Sequence, residues 1–311
     1  MTLPALLSIA LVIDALFGEP RWLWQRLPHL VVLMGRLIDS LTRALNRNNA
    51  KKAKGCAFAL GLVVLGIALG VLISRLGPAA EILLAAILLA HRSLIDHVKA
   101  VSDGLRLSLA QGRRSVARIV SRDTRGMNRS DIARSAIESA AENLSDGVIA
   151  PAFWFLVAGL PGLIVYKLIN TADSMVGYRN AQYAEYGWAS ARLDDLLNLI
   201  PARLTAALIL TKAGLWPQLG EIRTDARQHT SPNAGWPEAA MARALNVALS
   251  GPRTYEGVER AFAWINQAGR KELSARDIDA ALRHLWSAWI LMLSITALTA
   301  LVTLSSLPSL K

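Results

Sequence analysis

The amino-acid sequence predicts an all-α, polytopic helical membrane protein with amphipathic and re-entrant helices and helical cytoplasmic loops. Three observations carry that prediction. The chain is 53% hydrophobic with a mean hydropathy of +0.34 over 311 residues, more apolar than a soluble domain of this length. Two runs, 56–73 and 285–304, carry no charge and are long enough to cross about 30 Å of hydrocarbon. Of 34 basic residues, 27 fall in the polar segments 18–55, 91–147 and 213–284, the bias that the positive-inside rule gives to cytoplasmic loops.

The whole chain, 1–311, reads as one membrane-embedded domain, with further membrane segments at 3–17, 78–95, 148–169 and 196–212. No basic residue precedes the first of these and Arg21 follows it, so it is expected to stay attached instead of acting as a cleaved signal. Gly18-Glu19-Pro20 ends it, and the apolar stretch after His29 is too short to cross, which suits an interfacial or packed helix. Asp14, Glu19 and His29 could reach a ligand, or could act as capping and snorkelling groups. Residues 56–95 read as a helical hairpin turned at Gly77-Pro78. Gly66 and Gly70 form a small-xxx-small pattern that lets helices approach closely. The single cysteine, Cys56, excludes an intrachain disulfide.

From His91 to Arg134 the pattern is amphipathic and Arg-rich, with Gln111-Gly112 expected to end one helix and Arg113–Val120 to begin another. In the turn that follows, Arg122 and Arg125 flank Asp123. Guanidinium forks can hold phosphate and the carboxylate can hold a metal, although such pairs also simply tie loops together. Ser130 is expected to cap the next helix. Along it Arg134, Glu138, Glu142 and Asp146 follow at i+4 steps on one face, while Ile132, Ala136, Ile137, Ala140, Ala141 and Leu144 form the buried side. Arg134 and Glu138 can pair. Glu142 and Asp146 then repel unless a cation lies between them, which points to magnesium, with a solvated acidic face as the alternative.

Residues 148–169 contain Gly159-Leu160-Pro161-Gly162, which breaks a straight helix and favours a re-entrant segment over a full crossing. Beyond it Lys167, Asn170 and Ser174 share a face with Asp173 beside them. An ionisable group in so apolar a setting is by default a site candidate, so Asp173 either pairs with Lys167 or Arg179 or holds a metal. Arg192, Asp194, Asp195, Asn198 and Arg203 repeat the theme at the next membrane entry. In the last polar segment Pro237 fits the start of a helix that runs to Ser250. Ser231 to Gly235, with Asn233 among them, would then present backbone N–H groups as an anion cradle, or form a plain capped loop. Ser274 opens a final helix that passes Trp286 and Trp289, expected at the membrane interface. No Walker loop, dinucleotide fingerprint, paired-cysteine metal site or hydrolase elbow is present. The basicity is explained by topology, and no nucleic-acid partner is expected.

Taken together, Gly18-Glu19-Pro20 with Pro28-His29 and Gly35-Arg36, Ser121-Arg122-Asp123-Thr124, Glu138-Ser-Ala-Ala-Glu142-Asn143-Leu-Ser-Asp146-Gly147, Asn170-Thr-Ala-Asp173-Ser174-Met175-Val176-Gly177-Tyr178, Asp195–Arg203 and Ser231-Pro232-Asn233-Ala234-Gly235-Trp236-Pro237-Glu238 resemble the CbiB/CobD family, adenosylcobinamide-phosphate synthases of cobalamin biosynthesis. The resemblance runs in order over nearly the whole chain. It departs at Leu30, where a proline is usual, and at Arg243-Ala-Leu-Asn246, where the family tends to have Gly-Ala-Leu-Gly.

The resemblance implies a multi-pass protein of the cell inner membrane, with its active site facing the cytoplasm. Such a protein joins adenosylcobyric acid, the corrinoid substrate, to aminopropanol phosphate or a related amino alcohol, using ATP and Mg2+. That chemistry assigns Glu142, Asp146 and Asp173 to metal, and Arg122, Arg125 and Arg179 to phosphates. Asn170, Ser174, Ser231 and Asn233 fall to cofactor contact, and His229 or Glu238 to base or substrate contact; Asp173 and Glu142 also stand as catalytic candidates. A homo-oligomer in the lipid bilayer remains open. Two rival classes are a transporter of an anionic substrate, which would show an internal repeat and more spans, and a non-catalytic membrane sensor on the same scaffold.

Overall fold

In a computed structural model, which describes residues 1–20, 24–47, 49–255, 258–260 and 262–306, the chain is helical nearly throughout. The helices are α1 (Leu3–Phe17), α2 (Leu30–Leu45), α3 (Lys51–Ser74), α4 (Pro78–Leu88), α5 (His91–Leu107), α6 (Leu109–Val116), α7 (Arg129–Leu144), α8 (Ala150–Val176), α9 (Trp188–Leu197), α10 (Leu199–Ala213), α11 (Leu219–Arg227), α12 (Gly235–Leu245) and α13 (Ala275–Ser305). Four helical stretches, Lys51–Ser74, Pro78–Leu107, Arg129–Val176 and Ala275–Ser305, are long and apolar enough to cross a membrane. Counting Trp188–Leu197 with Leu199–Ala213 as one span makes five. The all-α, polytopic prediction therefore holds. Arg21, the basic flank expected after the first segment, lies outside the described residues.

The chain divides into two compact units, the first made of Met1–Ala90, Ala150–Asn198 and Leu293–Lys311, the second of His91–Ile149 and Leu199–Met292. In the first, α3 packs along α8. Gly66 faces Val165 and Gly70 faces Pro161, so the two helices run antiparallel, and a methyl group at Gly70 would overlap the Pro161 backbone. The small-residue pattern is thus used within the chain. Helix α8 is broken where Gly159 adopts φ 61°, with the ring of Pro161 just beyond. Helix resumes after the break and continues past Ile169 to Val176, which places Lys167, Asn170, Asp173 and Ser174 in its last turns. The core beneath is built from Leu7, Leu11, Leu62, Leu163 and Tyr166, all fully buried or nearly so.

In the second unit the apolar side of α7 is as the periodicity predicts: Ile132, Ala136, Ile137, Ala140, Ala141 and Leu144 are all 0% exposed. Three local expectations are corrected. Gln111-Gly112 lies inside α6, which Ser108 caps by accepting a hydrogen bond from the Gln111 N–H (3.1 Å), so no helix begins at Arg113. The cap of α7 is Asn128 in a reciprocal box with Asp131 (2.9 and 3.1 Å), because the Ser130 hydroxyl is committed to the Lys271 carbonyl (2.9 Å) and the Leu273 N–H (3.0 Å). Helix α12 stops at Leu245, where Asn246 turns left-handed (φ 51°), and the residues beyond form short antiparallel pairs, Leu249–Ser250 with Trp264–Ile265 and Arg253–Tyr255 with Val258–Arg260. Trp286 and Trp289 close around the fully buried His91, with ring centres 4.5 and 5.1 Å away, and Trp289 is itself buried.

Candidate functional site

Within the second unit, side chains from three separate stretches of sequence converge on a cavity of about 290 Å³. Arg122 reaches it from the turn before α7, Glu138 and Glu142 from α7, and His229 and Glu238 from the segment leading into α12. The regular pitch of α7 through Leu144 keeps Glu138 and Glu142 on one face. At Ser145–Ile149 the backbone loosens into a π turn, which takes Asp146 off the i+4 ladder, and Asp146 is not among the residues lining the cavity.

Glu138 is 2% exposed and binds two partners: its carboxylate accepts from Arg122 Nη2 (2.8 Å) and from the Ser250 backbone N–H (2.6 Å). It ties the Arg122 turn to the strand pair on the other rim. The expected Arg134–Glu138 pair does not form. Arg134 turns to Asp131 (3.2 Å) and the Lys271 carbonyl (2.5 Å) and lies over the Trp264 ring. Asp131 is a local partner one helical turn back, whereas the Lys271 carbonyl and the Trp264 ring come from the segment after α12, which helical spacing could not foresee.

His229 is oriented from both sides. Its Nδ1 accepts the Ser231 backbone N–H (3.0 Å), so the neutral ring carries its proton on Nε2, which points at Glu238 Oε1 (3.5 Å). Gly235 lets this loop lie close to α12, since a side chain there would strike the His229 Cβ and the Ala226 carbonyl. Arg243 fixes α12 against α11 through Glu221 (2.6 Å) and Asp225 (2.9 Å). With both ring nitrogens engaged, the group best placed to accept a proton is the Glu238 carboxylate.

The anion cradle expected at Ser231–Gly235 is partly filled from within. Ser231 Oγ accepts the N–H groups of Asn233 and Ala234 (both 3.2 Å), and the Asn233 side chain accepts from Arg203 (3.2 Å). Arg125 is 91% exposed and grips Asp123 (2.9 Å). That hydrogen-bonded fork holds the Asp123 carboxyl down at about 2.

The remaining predicted residues lie in the first unit. Asp194 is 9% exposed and accepts from Asn170 Nδ2 (3.1 Å) and Asn198 Nδ2 (3.0 Å), while Tyr166 Oη donates to Asn198 Oδ1 (2.9 Å). Asp173 lies near enough to Asp194 and Asp195 for their charges to interact. Among the described residues its carboxylate has no hydrogen bond or ion pair, so neither Lys167 nor Arg179 is its partner. Ser174 spends its hydroxyl on the Asn170 carbonyl (2.9 Å), and the exposed Arg179 interacts with Asp195. Among the described residues no three His, Cys, Asp or Glu side chains are grouped as a metal cage would require. Sequence reasoning missed the Glu138–Arg122 contact and the Ser250, Asn143 and Thr230 contributions to the cavity. These residues have no motif of their own and are recruited by tertiary packing.

A family model described as CobD/Cbib protein matches residues 7–285. The chain is similar to the cobalamin biosynthesis protein CobD of Sinorhizobium fredii, 47% identical over 309 residues that cover 94% of this chain and 95% of that protein. It is also similar to the protein of the same name from Rhizobium meliloti, 46% identical over 308 residues (92% and 94% covered). A third, from Rhodobacter capsulatus, is 43% identical over 275 residues (86% and 88% covered). No solved structure matches the chain.

Proposed function

The chain belongs to the CobD/CbiB family, and on that premise we propose that it is a ligase of cobalamin biosynthesis, acting at the cell inner membrane with its site toward the cytoplasm. It would join a propionate carboxylate of adenosylcobyric acid to aminopropanol phosphate or a related amino alcohol, at the expense of ATP. The observation that supports the chemistry is the convergence of Arg122, Glu142 and the His229–Glu238 pair on one cavity.

A carboxylate is a poor acceptor for an amine until its oxygen carries a leaving group. In the proposed sequence that oxygen takes the terminal phosphoryl group of ATP and ADP departs. The ammonium of the incoming amine then gives its proton to Glu238, the freed amine attacks the acyl carbon, and phosphate leaves as the amide forms. Glu238 works beside the imidazole N–H of His229, which holds its carboxylate in place and shares the arriving proton's charge. Arg122, braced by Glu138, supplies guanidinium N–H groups to phosphate oxygens. Arg125, Arg179, Asn170, Ser174, Ser231 and Asn233 are proposed in supporting contact with the nucleotide or the corrinoid.

Magnesium, when bound, would neutralise nucleotide phosphates. It commonly uses only one or two carboxylates plus substrate phosphates and water, and Glu142, Asp146 and Asp173 are each proposed as a candidate ligand.

Membranes containing the chain, given adenosylcobyric acid, ATP, magnesium and aminopropanol phosphate, are expected to yield the amide, detected by mass. ATP-dependent product that is absent here but present with an active relative in the same assay refutes the ligase reading.

A further inference from the structure

We infer that helix α2, with the lysines that open α3, is a binding surface for anionic glycerophospholipids. The lipid phosphate lies on Arg36 and Arg47, and the adjoining acyl chains lie against Leu33 and Leu37.

Helix α2 has 16 residues, about 24 Å at 1.5 Å per residue, and is too short to cross about 30 Å of hydrocarbon. Its buried side, with Ile38 and Thr42, packs on α8 and α3. The opposite side carries two exposed stripes at helical spacing. Arg36, Arg43 and, just past the helix end, Arg47 form one; Leu33, Leu37 and Ala44 form the other beside it. Exposed leucines flanked by arginines suit a helix lying in a membrane interface, its apolar stripe in the acyl boundary and its guanidinium groups reaching to the headgroups.

The neighbours of α2 place it at that level. Gly35 faces Met175 in the last turn of α8. The Asn46 side chain donates to the Gln182 carbonyl (3.0 Å), past the end of α8, and Lys54 in the first turn of α3 donates to the Arg47 carbonyl (2.8 Å). Helix α2 therefore lies across one end of the α3–α8 pair. Lys52 Nζ sits 4.3 Å from the centre of the Trp188 ring, and tryptophan favours the headgroup region. Beyond Lys54, residues 55–74 of α3 carry no charge and expose Leu60, Val64 and Ile67. The basic groups thus stand where a lipid-facing helix leaves the hydrocarbon.

Charge selects the lipid. Residues 30–54 hold six basic groups, Arg36, Arg43, Arg47, Lys51, Lys52 and Lys54, and a single acid, Asp39. Asp39 pairs with Arg43 on the exposed surface, where such a contact is weak. Guanidinium forks match phosphate oxygens, and each basic group near an anionic bilayer surface strengthens association by about fivefold. A phospholipid engages both stripes at once. A free phosphate uses only the basic one and leaves Leu33 and Leu37 in water.

The test is mass spectrometry of the full-length protein released intact from detergent, titrated with phosphatidylglycerol, phosphatidylcholine or glycerol 3-phosphate. The first phosphatidylglycerol is expected to bind at least about tenfold more tightly than phosphatidylcholine. Arg47→Gln should weaken it by about fivefold, and Arg36→Gln with Arg47→Gln should bring it within about threefold of phosphatidylcholine. Arg75→Gln, an exposed arginine at the far end of α3, removes the same charge away from the surface and should leave the preference intact. Melting temperatures check folding, and either single variant carries the test if the double variant does not fold.

Equal affinity for the two lipids overturns the inference. So does a loss in Arg75→Gln as large as that in Arg47→Gln, which would reflect overall charge alone. Glycerol 3-phosphate binding as tightly as phosphatidylglycerol would make the surface a site for soluble anions and would overturn it as well.

Discussion

In the first unit the carboxylate of Asp194 is held from both sides by amides, Asn170 at 3.1 Å and Asn198 at 3.0 Å, and Asn198 is held in turn by Tyr166. In the second unit the carboxylate of Glu238 meets a histidine at the edge of a cavity. Both acids are nearly buried, 9% and 3% exposed, and exposure alone would not separate them. Their partners do. A chain of neutral donors and acceptors satisfies every member between apolar helices, where lipid offers no substitutes, and this makes Asp194 part of the architecture. A carboxylate set beside an imidazole at the wall of a cavity is within reach of whatever enters that cavity. Asp173 stands between these cases, sharing Asp194's unit and helical setting but having no hydrogen bond of its own among the described residues.

The largest effects should come from the carboxylates proposed for chemistry. Glu238→Gln preserves shape and removes the proton acceptor, so amide formation should fall by about 100- to 10,000-fold while the melting temperature in detergent stays within a few degrees. Asp173→Asn should likewise abolish ligation and leave insertion and melting unchanged; full turnover would take Asp173 out of the site. The next effect, on folding, is expected from Asp194→Ala. It leaves the amides of Asn170 and Asn198 without their acceptor and should cost roughly 2–4 kcal/mol in stability, read by thermal or denaturant unfolding. A melting loss for Glu238→Gln as large as that for Asp194→Ala would erase the distinction between the two regions.

How much of this was legible in the sequence depends on the range of the interaction concerned. The first helix, Leu3–Phe17, and the buried side of α7 follow from local periodicity and were readable residue by residue. The break at Gly159–Pro161 was readable as well, since it depends on two residue types with unusual backbones. The cap was not: Asn128 and Ser130 are both competent, and the choice is made by Lys271 and Leu273, more than 140 positions away from Ser130. The same holds for Glu138. Helical spacing offers it Arg134, but Arg134 is drawn to the hairpin after α12 and Glu138 receives Arg122 instead. Glu142 was singled out by its place on the i+4 ladder and His229 and Glu238 by the family resemblance, but their meeting at one cavity is a property of the tertiary fold.

The smallest effect expected concerns pH, and it sharpens the contrast from the first unit's side. The imidazole of His29 caps α2, its Nδ1 accepting the Val31 N–H at 3.2 Å, and burial lowers its pKa from the usual 6.5, with Lys167 adding to the effect and Glu19 opposing it. Protonation would add a charge in a half-buried position and remove the acceptor on which the cap depends. A histidine with a lowered folded pKa binds fewer protons in the folded state than in the unfolded one. Its contribution is therefore intact above pH 6.5 and is lost as the pH falls from 6.5 through the lowered value. His29→Asn retains a capping oxygen without a titrating group. The wild-type melting temperature should fall more steeply than the variant's between about pH 6.5 and pH 5, by a small margin because the ring is only half withdrawn from solvent. Identical slopes would mean that the cap is not titrating in that range.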